Sequence, residues 1–150
     1  MLRLTRKTVL ALEAVLDIAY NARPNPVQSR DITERQGIPT RYLEQVLQRL
    51  VREGVLRGVR GPRGGYILAR ERRRVTLGEV VRIVSGLDGE DEPRAGSSAL
   101  LGEQVILPLW EDVQAQILDR FDAITIEDLC REAQAKGVPR ADAHPPDFSI

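Results

Sequence analysis

The stretch SRDITERQGIPTRYLEQVLQRLVRE, residues 29–53, decides how this chain is read. In its second part Leu43, Val46, Leu47, Leu50 and Val51 recur at helical spacing and make one apolar stripe. Arg41, Glu44, Gln45, Gln48, Arg49 and Arg52 face the other way. The first part, Ser29 to Gln36, reads as a shorter helix that buries Ile32. Between them Gly37 supplies a turn in which a positive φ costs little. Two helices joined by a short glycine-containing turn form a helix-turn-helix, whose second helix enters the major groove of DNA. An ordinary helical hairpin has the same pattern, so the neighbouring sequence must discriminate.

It does so immediately downstream. Val55 to Val59 and Tyr66 to Ala69 are short β-prone runs, separated by Arg60-Gly61-Pro62-Arg63-Gly64-Gly65. Glycines let the backbone lie close to a surface, and Arg60 and Arg63 can reach a phosphate or a narrow minor groove. Helix, turn, helix and basic hairpin in succession read as a winged module. A solvated hairpin without a partner is the weaker alternative.

Upstream, Val9, Leu12, Val15, Leu16 and Ala19 predict a helix from Thr5 to Asn21 with Thr5 as its cap. Arg6 and Lys7 then stand in the first turn, where the helix dipole disfavours cations. An external anion would offset that cost. Arg23 to Gln28, with Pro24 and Pro26, reads as a loop.

Beyond the wing, Thr76-Leu-Gly-Glu79 has capping-box spacing, and Leu77, Val80, Val81 and Val84 form the core stripe of a closing helix. Periodicity stops between residues 86 and 104, where Asp88, Glu90, Asp91 and Glu92 cluster. A long helix follows from about Leu107 to Ala123, with Pro108 tolerated in its first turn. Ile106, Trp110, Val113, Ile117, Phe121 and Ile124 recur close to coiled-coil spacing, and a partner subunit is the expected cover. Thr125 starts a last helix that Gly137 can end. Residues 138–150 carry three prolines and read as a disordered tail.

The resulting division is a winged helix-turn-helix DNA-binding domain at 1–85, a mobile acidic loop at 86–104, a dimerisation helix and last helix at 105–137, and the tail at 138–150. The fold class is mainly α, with a small β-wing and a long C-terminal dimerisation helix. Charge follows this division. The chain's 22 basic and 22 acidic side chains sum to zero, but residues 1–85 hold 17 Lys and Arg against 8 Asp and Glu, or +9. The rest holds 22 − 17 = 5 against 22 − 8 = 14, or −9. A basic half joined to an acidic half points to a polyanion partner.

Composition excludes other classes. With Cys130 and His144 the only residues of their kinds, neither an intrachain disulfide nor a Cys/His zinc site can form within one chain. No apolar run is long enough to span a membrane, and the N-terminus lacks the apolar core of a secretory signal, so the expectation is a cytoplasmic protein. No nucleophile and base pair stands out, and no enzyme, metal or cofactor is expected.

Several stretches carry a family resemblance. Leu4-Thr5-x-Lys7, Asp31-Ile32-x-Glu34-Arg35-Gln36-Gly37-Ile38, Tyr42-Leu43-Glu44-Gln45, Val59-Arg60-Gly61-Pro62-x-Gly64-Gly65-Tyr66 and Leu109-Trp110 with Ile124-Thr125 resemble the IscR-type winged-helix regulators. That bacterial family includes iron-sulfur, nitric-oxide and cysteine-metabolism sensors. The similarity runs from residue 1 to about 135. It implies a homodimer on a roughly palindromic operator of double-stranded DNA, most simply a repressor. In such regulators the helix holding Arg41, Glu44 and Gln45 reads base edges, and the arginine matching Arg60 enters the minor groove. The chemistry agrees: Gln pairs with adenine, Glu accepts from cytosine, and Arg41 reaches guanine or phosphate. Thr40, Tyr42, Gln48 and Gly64 join that surface. Arg6, Lys7, Arg30, Arg49 and Arg63 suit phosphates, which set register but not sequence.

Two departures matter. Cluster-binding members carry three cysteines before the long helix, and often a histidine just before the Leu-Trp pair. Here residues 86–104 contain no cysteine, and Leu107 holds the histidine position. Thr8 replaces a common glycine, a mild change in a helix. The acidic loop and long helix would then bind a small-molecule effector of unknown identity, a partner protein, or nothing. Cys130 is a possible redox residue, although a lone helical cysteine is more often a packing residue. The competing function is a non-catalytic protein- or RNA-binding adaptor on the same scaffold.

Overall fold

The computed structural model describes residues 5–23, 25–88 and 99–141. Helix α1 (Arg6–Asn21) starts where Thr5, in extended backbone, accepts a hydrogen bond from the Thr8 amide at 3.3 Å. Such a cap is worth about 1 kcal/mol. The buried face differs from the predicted stripe. Leu10, Ala11, Ala14, Val15, Ile18 and Ala19 are buried, whereas Val9 is exposed and Leu12 and Leu16 are only partly covered. Three alanines let neighbouring elements approach α1 closely, and a search for large apolar residues passes over them.

Helices α2 (Ser29–Gln36) and α3 (Thr40–Arg52) follow the predicted bounds to within a residue. Gly37 takes a φ of 66° and donates its amide to the Thr33 carbonyl at 2.9 Å, ending α2. Leu43, Val46, Leu47 and Leu50 are fully buried, each contributing roughly 1.5–3 kcal/mol. Val51, expected among them, is exposed. One residue past Leu50 the helix has turned by about 100°, which carries Val51 out of the stripe.

Strands β1 (Leu56–Val59) and β2 (Gly65–Leu68) pair antiparallel from Leu56 opposite Leu68 to Val59 opposite Gly65. Val27, predicted to lie in a loop, adds a rung: it exchanges backbone hydrogen bonds of 3.0 and 2.7 Å with Tyr66. Helix α4 (Leu77–Ser85) buries Leu77, Val80, Val81 and Val84 as predicted. Its capping box is half formed. Thr76 accepts from the Glu79 amide at 3.1 Å, but the Glu79 carboxylate turns to Arg70 instead of the Thr76 amide.

Helix α5 (Leu107–Asp122) is continuous with helical backbone from Leu100, so the predicted loop through residue 104 is helical in its last residues. Residues Gly102–Ile106 form a π-helical turn, with the Leu107 amide bonded to the Gly102 carbonyl. Pro108 removes a donor and crowds the preceding turn of an α-helix. A π-turn just before it relaxes that register, so the helix runs through. The acidic residues 90–92 lie outside the described residues.

Helix α6 (Ile126–Ala135) carries a complete capping box: Thr125 accepts from the Asp128 amide at 3.1 Å, and Asp128 accepts from the Thr125 amide at 3.0 Å. These bonds hold the Asp128 carboxyl below its usual range. Ile126 and Cys130 lie in one core with α1, α3 and α4, and the Ile126 amide bonds to the Val75 carbonyl at 2.9 Å. The charge boundary near residue 85 is therefore not a packing boundary. The predicted tail is ordered at its start: Tyr20 Oη donates to the Val138 carbonyl at 2.6 Å, and the Ala141 amide donates to Asn21 Oδ1 at 2.9 Å. Residues 142–150, with His144, lie outside the described residues.

Candidate nucleic-acid interface

Burying Leu43, Val46, Leu47 and Leu50 leaves the opposite face of α3 to solvent. Thr40, Arg41, Glu44, Gln45, Gln48 and Arg52 are all exposed there. The face is amphoteric and uncommitted: among the described residues no hydrogen bond or ion pair involves the side chains of Arg41, Glu44, Gln45 or Gln48. Side chains in that condition are available to base edges.

Polar contacts join both helices of the pair to α1. Tyr42 Oη donates to the Lys7 carbonyl at 2.5 Å, and the Lys7 ammonium lies 5.8 Å from the Tyr42 ring centre. The first turn of α3 is thus joined to the first turn of α1, where Arg6 and Lys7 are exposed. On α2, Arg35 clamps the buried Asp17 of α1 through Nε at 2.9 Å and Nη2 at 2.7 Å, and Gln36 adds a third donor at 2.8 Å. Three donors satisfy a carboxylate that burial would otherwise penalise. The bond to Asp17 raises the Arg35 pKa above its ordinary value.

The wing leaves α3 directly. Gly54, at a φ of 79°, donates to the Val51 carbonyl, and Val55 to that of Leu50 at 3.0 Å, which turns the chain into β1. At the tip Arg60, Gly61, Pro62 and Arg63 are exposed. Gly64 is buried, and a Cβ there would lie 2.2 Å from the Val59 carbonyl oxygen. A Cβ on Gly65 would lie 2.4 Å from the Val27 carbonyl oxygen. The paired glycines close the hairpin and seat it against Val27; Gly64 itself offers little surface.

The other predicted positions are spread around this surface. Arg30 is exposed in the first turn of α2. Arg49 lies off the open face, 3.5 Å from Glu53. Sequence reasoning placed Arg52 on the α3 face without assigning it a contact and left out Arg57 on β1; both are exposed. Arg52 was legible, because it stands seven residues past Gln45 and so on the same face. Arg57 was not, since the facing of a four-residue strand depends on its register.

The expected dimer stripe divides in two. Ile106, Trp110 and Val113 are 58%, 48% and 41% exposed, with Leu109 beside them. Ile117 and Phe121 are partly covered, and α5 packs on α4. Ile124 is not on the helix. It lies in the turn after α5, where its carbonyl accepts from the Leu77 amide at 2.8 Å. Cys130 is buried, and desolvation pushes its thiol pKa up despite the opposing effect of Arg72.

Comparison with known proteins accords with this geometry. Residues 4–132 match the family described as "Rrf2: Iron-dependent Transcriptional regulator". The chain is 34% identical over 138 residues to the "HTH-type transcriptional regulator IscR" of Pectobacterium atrosepticum, covering 91% of this chain and 84% of that one. It is 36% identical over 140 residues to the protein so described in Xenorhabdus nematophila, with the same coverage. Among solved structures, "T. potens IscR" superposes with a TM-score of 0.73 at 32% identity and 93% coverage of both chains. The cysteine regulator CymR of B. subtilis shares the fold at a TM-score of 0.69 and 23% identity, over 88% of this chain and 98% of that one.

The iron named in that description was tested against the donors present. The chain has one cysteine, and Cys130 faces the core. Among the described residues no group of three or more His, Cys, Asp or Glu side chains could hold a metal ion. This donor set does not fit a cysteine-ligated cluster.

Proposed function

The chain belongs to the Rrf2 family of DNA-binding transcriptional regulators, and from that premise we propose that it represses transcription as a cytoplasmic homodimer on a roughly palindromic operator, without conventional iron-sulfur ligation. The observation that carries this reading is the open face of α3 beside the wing tip. Arg41, Glu44, Gln45 and Gln48 stand there without partners among the described residues, on a helix whose other face is fully buried. An ordinary helical hairpin would expose the same face, and the basic wing tip beside it is what favours DNA.

In this reading Gln45, Glu44 and Arg41, flanked by Thr40 and Gln48, meet base edges in the major groove. Arg60 enters the adjacent minor groove, while Arg6, Lys7, Arg30 and Arg63 meet phosphates and set the register. Arg52 and Arg57 extend the same basic surface. Dimerisation rests on Ile106, Leu109, Trp110 and Val113, an exposed apolar run too large to leave in water without a partner. Two copies joined there would present two α3 helices to half-sites about one helical turn, roughly 34–36 Å, apart.

Selection of genomic duplex fragments with the purified protein, followed by affinity measurement, tests the proposal. The expected result is an inverted repeat bound far more tightly than single-stranded RNA. Preference for single-stranded RNA would replace the repressor with an adaptor.

A further inference from the structure

Between α1, the end of α2, α6 and the ordered start of the tail lies a cavity of about 450 Å³. That size is within the range of small-molecule sites. Leu16, Ala133, Val138 and Pro139 supply an apolar wall. The polar groups are uneven in a way that specifies a ligand. Asp17 is neutralised by Arg35 and satisfied by three donors. Glu13, half-buried on the same wall, makes no hydrogen bond or ion pair with any described residue. One negative charge of the lining is therefore unbalanced.

Arg35, Gln36 and Asn21 keep N–H donors in this lining, and acceptors remain beside Glu13. Gln36 gives one amide N–H to Asp17 and keeps its carbonyl oxygen and a second N–H, and Tyr20 donates to Val138, which leaves the lone pairs of its hydroxyl. With the Glu13 carboxylate these make three acceptors lining one cavity. A primary ammonium presents three donors, one positive charge and no acceptor.

We propose that this cavity binds a small primary amine, with the ammonium on Glu13, Gln36 and Tyr20 and a short apolar body against Leu16, Ala133 and Pro139. Arg35 and Gln36 are the last two residues of α2 and immediately precede the Gly37 turn into α3. Occupancy consequently bears on the element that positions α3. This coupling, which rests on the DNA-binding reading above, makes the cavity an effector site.

The test is calorimetric titration of the full chain with n-butylamine and phenethylamine, each against the neutral analogue in which a hydroxyl replaces the amine. Saturable binding of at least one amine, roughly tenfold tighter than its alcohol, is expected from a charge-assisted hydrogen bond. Glu13→Gln removes that preference, and Ala133→Phe blocks binding by filling the cavity. Operator affinity should then change at least about threefold with saturating amine in the parent and not in Glu13→Gln. Equal binding of amine and alcohol, no saturable binding, or undiminished amine binding by Glu13→Gln overturns the site. Binding without an effect on an operator that the protein otherwise holds normally overturns the effector role. Loss of all operator binding would instead count against the DNA-binding reading, since the titration itself contains no DNA.

Discussion

The Tyr42 hydroxyl on α3 donates to the backbone carbonyl of Lys7 on α1 at 2.5 Å, which joins the helix proposed to read base edges to the helix start proposed to meet phosphates. The joint lies at the first turns of both helices, where open backbone amides favour an anion. Tyr42→Phe should weaken operator binding several-fold while lowering stability by about 0.5–1.5 kcal/mol, the net worth of one hydrogen bond. Anisotropy titrations beside urea melts separate the two effects. An unchanged operator affinity would reduce Tyr42 to packing.

The wing depends on a carbonyl that tolerates no Cβ beside it. Gly64→Ala places a carbon 2.2 Å from the Val59 carbonyl oxygen, so the tip must open. Operator affinity should then fall at least as far as in Arg60→Ala, because the variant displaces both Arg60 and Arg63. If Gly64→Ala binds normally, the tip contributes nothing.

Arg35→Ala strands a carboxylate whose side chain is fully buried. Breaking such a pair from one side costs about 3–5 kcal/mol, here moderated by the surviving Gln36 bond. Replacing both partners by apolar residues should restore part of the loss. A loss under about 1 kcal/mol for Arg35→Ala would mean that water reaches Asp17.

Acid should loosen the junction of α4 and α5. Arg82 donates to both oxygens of Asp122, at 2.5 and 2.8 Å, and so holds its carboxyl below the usual range. A folded pKa below the unfolded one means that the stabilisation is complete above about pH 4 and disappears as pH falls through the lower folded value. The urea midpoint of the parent should exceed that of Asp122→Asn by a constant margin from about pH 5 to pH 7, and the margin should shrink below about pH 4. A margin that grows in acid would reverse the assignment.

Cys130 should be a poor redox residue. Burial and a raised pKa keep its thiol protonated at neutral pH, and the thiolate is the reactive form. Iodoacetamide should modify the folded protein far more slowly than the urea-unfolded chain. Rapid alkylation, or a diamide effect on operator affinity that Cys130→Ser removes, would restore a redox role.

The short-range features of this fold were legible in residue order. Gly37 between two helical stripes, the arginine- and glycine-rich hairpin and Thr125 at the start of the last helix each depend on neighbours within a few residues, and each forms as read, whereas the capping box read at Thr76 and Glu79 forms only in half. What escaped depends on partners distant in sequence. The buried stripe of α1 is set by alanines that matter only once α6 and α4 lie against them. Gly78 admits the Asp122 carboxylate to α4, where a Cβ would lie 2.0 Å from Asp122 Oδ1, and nothing near Gly78 announces that visitor. Val27 became a strand rung only when the wing folded back upon it. For the candidate interface, helical spacing placed the α3 face, including Arg52, and Arg49 at its edge, where it lies 3.5 Å from Glu53.

Arg60 and the α3 face are proposed to bind duplex DNA through phosphates and bases together. The most direct measurement is the salt dependence of affinity for a selected operator, in the parent and in Arg60→Ala. A log–log slope of about −4 or steeper is predicted, with a loss of affinity and a slope shallower by up to about 1 in the variant. A parent affinity that does not change between low and physiological salt would contradict the account.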